Sequence, residues 1–271
     1  MTDTTLIARL SSADTDELVD LLAQPALEQE ELLRAYLGAD RFRRMRGLAL
    51  RRQSIRRELG DNTQGNVIVV PSFLANELSS DRGGVRNQIW LNAKSIAAGH
   101  LSRLRLADNG LTDADPNCAL RVTGVMKRYY GELILTLAQR WNVHSFAYDW
   151  RKSLTLAAVQ LQSRIDECFP ANEKVHIVAC GEGGIIARLY IAQQASHWQA
   201  RGGRLITLAT PHRGSVTYVQ ALAGHLDIAR WVELLDPVNN WQDFLSIVRS
   251  FPSIYQLLPF AGSQPEALYK A

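Results

Sequence analysis

The chain has 271 residues, 46% of them hydrophobic and 21% charged, which is the balance of a globular protein with one full α/β core and an appendage. Its formal charge of +3 is small and says little about partners of the core, while three scattered cysteines, Cys118, Cys168 and Cys180, lack metal-ligand spacing and argue for unpaired thiols in a reducing compartment. No basic start leads into an apolar run and no stretch approaches bilayer length, so the expectations are a cytoplasmic chain with no transmembrane segment, no metal site and no cofactor.

Residues 1–60 carry a helical pattern with no strand-like run and are read as a helical N-terminal segment ahead of an α/β domain at 61–271. Asp14 or Thr15 caps a helix holding Leu18, Val19, Leu21 and Leu22, and a second helix runs through Leu32, Leu33, Tyr36 and Leu37 to a stop at Gly38. A third helix begins near Ala39 and is rich in arginine: Arg41, Arg43, Arg44, Arg46, Arg51, Arg52, Arg56 and Arg57 interleave with Phe42, Met45, Leu48, Leu50 and Ile55. Clustered guanidinium groups suit an anionic partner, either nucleic acid or anionic lipid; the plainer reading is a solvated helix whose aliphatic stripe docks on the domain beside it.

After a turn-rich linker at 61–66, Val67–Val70 is a run of β-branched residues and predicts a buried central strand. The chain is then irregular to about Thr123, with a helix from Met126 to Gln139, a strand and exit loop over Val143–Arg151, and a helix from Leu154 to Phe169. Val175–Ala179 is the next strand, followed by the small residues Cys180 to Gly184 and a helix with Ile185, Ile186, Leu189 and Tyr190 at helical spacing. This is the outline of a nucleophile elbow, the sharp turn that lifts a catalytic side chain above a parallel sheet. Counted back from the Gly183-Gly184 pair, its apex is Gly181. A fourth strand, Leu205–Thr210, ends in Pro211-His212-Arg213-Gly214-Ser215, and the remainder reads as helices and a terminal loop.

Seven stretches, in order, resemble the α/β-hydrolases of the lecithin:cholesterol acyltransferase group and their bacterial esterase and lipase relatives: Val67–Leu78, Gln88–Trp90, Tyr129–Leu133, Tyr148–Arg151, Val175–Tyr190, Leu208–Ser215 and Phe251–Pro259. The resemblance implies an α/β-hydrolase core, a mostly parallel sheet flanked by helices, with its last strands missing here. It also implies serine-dependent hydrolysis or transfer of a lipid or other acyl ester, with the backbone N–H groups of Phe73 and Glu182 as oxyanion donors. Where the family has Gly/Ala-His-Ser-Met/Leu-Gly-Gly, this chain has Ala179-Cys180-Gly181-Glu182-Gly183-Gly184. Gly181 thus replaces the nucleophile, and a Glu182 carboxylate opposes a developing oxyanion while suiting the positive end of the following helix. The family's Pro-Gly-x-x-Gly loop is Pro71-Ser72-Phe73-Leu74-Ala75.

A triad is not legible either. His212 and His225 come too early in chain order for the family's histidine, Asp236 is an acid without a nameable partner, and Asp149 and Arg151 read as a structural pair. Cys180 and Ser215 lack an evident base. A nucleotide site at Gly181-x-Gly183 fits poorly, because Ile186 stands where a third small residue belongs. The expectation is an inactive relative of the acyltransferase and lipase group; the alternatives are an active acyl-ester enzyme with a non-obvious nucleophile, or a non-enzymatic lipid-binding or interaction module. A chain shortened so as to lose its acid and histidine would add to the change at Gly181 rather than explain it.

Overall fold

The computed structural model describes residues 3–60, 63–82, 85–225 and 235–260. Four helices open the chain: α1 (Asp3–Ser12), α2 (Thr15–Ala23), α3 (Leu27–Leu37) and α4 (Ala39–Leu59). Asp14 caps α2, accepting from the Glu17 N–H at 2.8 Å while the Glu17 carboxylate accepts from the Asp14 N–H. Leu18, Leu22, Leu33, Leu37, Phe42 and Met45 are buried in one cluster with Val67, Val69, Val143 and Val178 of the sheet. The N-terminal helices therefore cover one face of the sheet, and the aliphatic stripe of α4 is docked. Most of its arginines have carboxylate partners: Arg41 and Arg44 reach Glu132, Arg46 reaches Glu30, Arg43 reaches Asp40 and Arg56 reaches Asp16.

Strand β1 (Asn66–Val70) follows, buried throughout. The next stretch departs from the irregular course expected. It forms β2 (Asn76–Arg82), β3 (Val85–Trp90), a short α5 (Ala93–Ala97), a 3-10 turn at His100–Leu104 and β4 (Leu120–Val125), with β2 paired antiparallel to both of the other strands. Its sequence, NELSSDR in β2, has no apolar alternation to reveal a strand. Pairing instead buries polar groups together, as where the Ser79 and Thr123 hydroxyls meet at 3.3 Å.

The main sheet is parallel. After α6 (Lys127–Leu137) come β5 (Asn142–Ser145), α7 (Leu154–Cys168), β6 (Val175–Cys180), α8 (Glu182–Gln193), α9 (Ala195–Arg201) and β7 (Leu205–Leu208), in the spatial order β5-β1-β6-β7. On the face away from α4, Ile68, Ile177 and Ala179 pack with Leu161, Ile165, Ile186 and Tyr190 of α7 and α8. The chain continues through α10 (Val216–Ala223), α11 (Trp241–Arg249) and α12 (Pro252–Gln256). Among the described residues no strand follows β7, whose Ile206 and Leu208 stay 50% and 44% exposed. No described helix is long and apolar enough to cross a membrane.

Candidate active site

Strand β6 ends at Cys180 and α8 starts at Glu182, so one residue makes the whole turn, with Gly181 at φ 52° and ψ −124°. An L residue is strained there. Close packing explains the glycines that follow. A Cβ on Gly183 would lie 2.6 Å from the Val70 and Pro71 carbonyl oxygens, and one on Gly184 would lie 2.0 Å from the Thr210 hydroxyl.

The space above the apex is already taken. A Cβ on Gly181 would fall 2.1 Å from Ser72 Oγ and 2.9 Å from Ser72 Cβ. The Ser72 hydroxymethyl group, on the loop after β1, thus fills the volume that a side chain at 181 needs. That loop is tied down on several sides. The Ser72 N–H donates to Tyr130 Oη at 2.9 Å, Tyr148 Oη donates to the Pro71 carbonyl at 2.9 Å, and Trp90 Nε1 donates to the Leu74 carbonyl at 2.8 Å. Phe73 stands edge-on to Trp150 and Tyr218, with ring centroids 5.4 and 5.7 Å apart. Tyr148 and Trp150, which the sequence offered only as part of a strand-end motif, are therefore the loop's supports. Their signal was two aromatics with polar tips placed directly after a strand.

Glu182 corrects the picture of a charged residue at the helix start. Its side chain is fully buried, and neither carboxyl oxygen has a hydrogen-bond partner. Burial pushes its pKa well above the ordinary carboxylate range, so the neutral acid is favoured and no charge is on hand to stabilise the amino end of α8. Tyr148 and Tyr218 are also held protonated, chiefly by burial. The Thr210 hydroxyl is buried without a partner too. Several uncompensated polar groups thus gather beneath the turn.

The remaining candidates have structural work. The Cys180 thiol is half-buried, which raises its pKa, and its hydrogen-bonding neighbour is the Tyr130 hydroxyl rather than a base. Ser215 Oγ caps α10 by accepting from the Thr217 N–H. His212 is exposed, with Nδ1 2.9 Å from Arg188 and Nε2 3.4 Å from Thr207 Oγ1, and His225 is exposed. Asp236 accepts from the N–H groups of Val238 and Asn239 and from the Asn239 amide, which consumes both oxygens in a turn. Arg151 is fully buried between Asp149 and Asp113, 2.7 Å from each, so that pair is structural. One histidine does meet an acid: His197 lies 2.9 Å from Asp166, and its other nitrogen lies 2.7 Å from Tyr190 Oη. Tyr190 sits nine residues along α8 from Gly181, about 13 Å at helical rise, so this array clamps α7, α8 and α9 far from the turn.

A parallel sheet flanked by helices, with a one-residue strand-to-helix turn facing the loop after the first strand, defines an α/β-hydrolase core. The family model of lecithin:cholesterol acyltransferase matches residues 136–268, a stretch that includes the β6–α8 turn and the Leu208–Ser215 loop, and this supports an LCAT-like lipase and acyltransferase group for the chain. The earlier stretches of resemblance, from Val67 to Leu133, lie outside the match. No curated protein matches the chain.

Proposed function

We propose that this is a catalytically silent LCAT-like protein, one that keeps the scaffold for acyl chemistry without performing ester hydrolysis or acyl transfer at its turn. The observation that carries the reading is the pairing of Gly181 with Ser72: the apex has no side chain, and the volume for one is filled from the loop opposite. The buried neutral acid at 182 supports it, since among the described residues neither of its oxygens has a hydrogen-bond partner and no histidine is paired with it to activate a nucleophile. What the family resemblance leaves is ligand binding. Phe73, Leu74, Trp90, Trp150, Phe244 and Phe251 line a wholly apolar cavity of about 30 Å³ beside the loop. That is room for about one or two water-sized groups. An acyl chain is larger than this volume, so its entry requires the lining side chains to move apart.

The test is exposure of the folded protein to a fluorophosphonate that phosphonylates activated serines with loss of fluoride, read by intact mass, together with thermal melts in the presence of a fatty acid. No adduct and a raised Tm accord with a silent acyl binder. A stoichiometric adduct overturns the reading, and peptide mapping then identifies the nucleophile.

A further inference from the structure

A second concavity lies at the opposite end of the parallel sheet from Gly181. It has a volume of about 360 Å³ and lies between the start of α2, the last turns of α4 and the amino ends of β1 and β5. Strands of this length put it roughly 17 Å from the turn. Arg52 of α4 is on its wall. That side chain is only 6% exposed, its Nε is buried without an acceptor, and among the described residues its guanidinium forms no ion pair. Buried charge without a partner is costly enough that proteins rarely keep it empty-handed. Arg41, Arg43, Arg44, Arg46 and Arg56 have acids within reach and Arg51 and Arg57 are exposed to water, which sets the buried Arg52 apart from them.

The other polar groups of the wall are already committed. Asp14 accepts from the Glu17 N–H, Asp16 pairs with Arg56 at 2.9 Å, and Glu173 accepts from the Asn66 amide at 2.7 Å. The Asn142 amide donates to Asn66 Oδ1 at 2.9 Å, and the Thr15 hydroxyl donates to the Val143 carbonyl. His144, also on the wall, has its pKa lowered, chiefly by burial, and its ring stands edge-on to Phe169. Asp14, Asp16 and Glu173 are solvent-exposed at the rim, where water screens them. They admit one negative charge at the buried guanidinium and disfavour a second.

We propose that this concavity is a binding site for a small-molecule carboxylate, held by Arg52 through two parallel N–H bonds, with Trp141 and Val143 as the apolar wall for the rest of the molecule. The site is independent of whatever happens at Gly181. It also gives the arginine-rich helix an anionic partner of a different kind from a broad basic face: one arginine, turned inward, selects a single group.

The experiment follows the Arg52 Nε–H signal in ¹H–¹⁵N spectra of the full chain, assigned by its loss in Arg52→Met, or in Arg52→Lys if the first variant does not fold. Sodium acetate is the probe, titrated against sodium chloride at equal ionic strength. A saturable shift of this signal with acetate and not with chloride, together with an unaltered response in Arg51→Met, is the result expected. A signal that does not move, that moves equally with chloride, or that moves more with sulfate than with acetate overturns the assignment.

Discussion

Adding one methyl group at the turn, as Gly181→Ala, tests the central contact of the site. At φ 52° and ψ −124° a Cβ is strained by about 1–3 kcal/mol. It also arrives 2.1 Å from Ser72 Oγ. Ser72 is anchored by its N–H bond to Tyr130 at 2.9 Å, so the side chain must rotate or the loop must shift. Overpacking of this kind costs about 1–3 kcal/mol more. The single variant should therefore lose about 2–6 kcal/mol, a large share of the roughly 5–15 kcal/mol that holds a domain together. Ser72→Gly removes the obstruction and leaves the strain, so the double variant should recover the overpacking part, a coupling of about 1–3 kcal/mol. Urea unfolding followed by tryptophan fluorescence on the four members of the cycle measures both quantities. A Gly181→Ala midpoint equal to that of the parent, or a coupling near zero, refutes the idea that Ser72 occupies the place of a catalytic side chain. By the same reasoning Gly181→Ser alone yields a destabilised protein and not an esterase.

Glu182→Leu should stabilise the fold, and more so at high pH. The folded chain keeps a proton on Glu182 that the unfolded chain gives up above about 4.5, so the parent loses stability as pH rises from there towards the raised folded pKa; unfolding midpoints of the variant should lack that decline. Lys127, buried against the Ser11 carbonyl, titrates at about 8 instead of 10.5, chiefly because of burial. Its folded pKa is the lower one, so stability should rise with pH between about 8 and 10.5, by roughly 3 kcal/mol at most, and Lys127→Met should flatten that rise in thermal melts. Arg151→Met strands the carboxylates of Asp113 and Asp149 and should cost about 3–5 kcal/mol. A loss under about 1 kcal/mol in denaturant unfolding would show that water compensates them.

Much of the site could be read from the order of residues because turn chemistry is local. The β-branched run at Val67–Val70, the small residues at 180–184 and the helical spacing after them locate a strand, a one-residue turn and a helix without knowledge of their neighbours. The glycine pair at 183 and 184 meets the backbone of β1 and Thr210, as close packing requires. The second sheet was not readable, since β2 is mostly polar and its stability comes from partners that are distant in sequence. The Glu182 side chain was misjudged for a related reason. Position at a helix start suggests a charge, but burial decides whether that charge survives.

The amino-acid sequence by itself determined the class of fold, the place of the turn and the absence of a side chain at its apex, because periodicity and backbone sterics act over a few residues. Only the tertiary structure decided that Ser72 fills the apex, that Tyr148 and Trp150 brace the loop, that Glu182 is a neutral acid and that Arg52 is buried while five other arginines of α4 find carboxylates. Each of those depends on which distant groups exclude water from a side chain, and desolvation is set by the packed whole and not by any stretch of the chain.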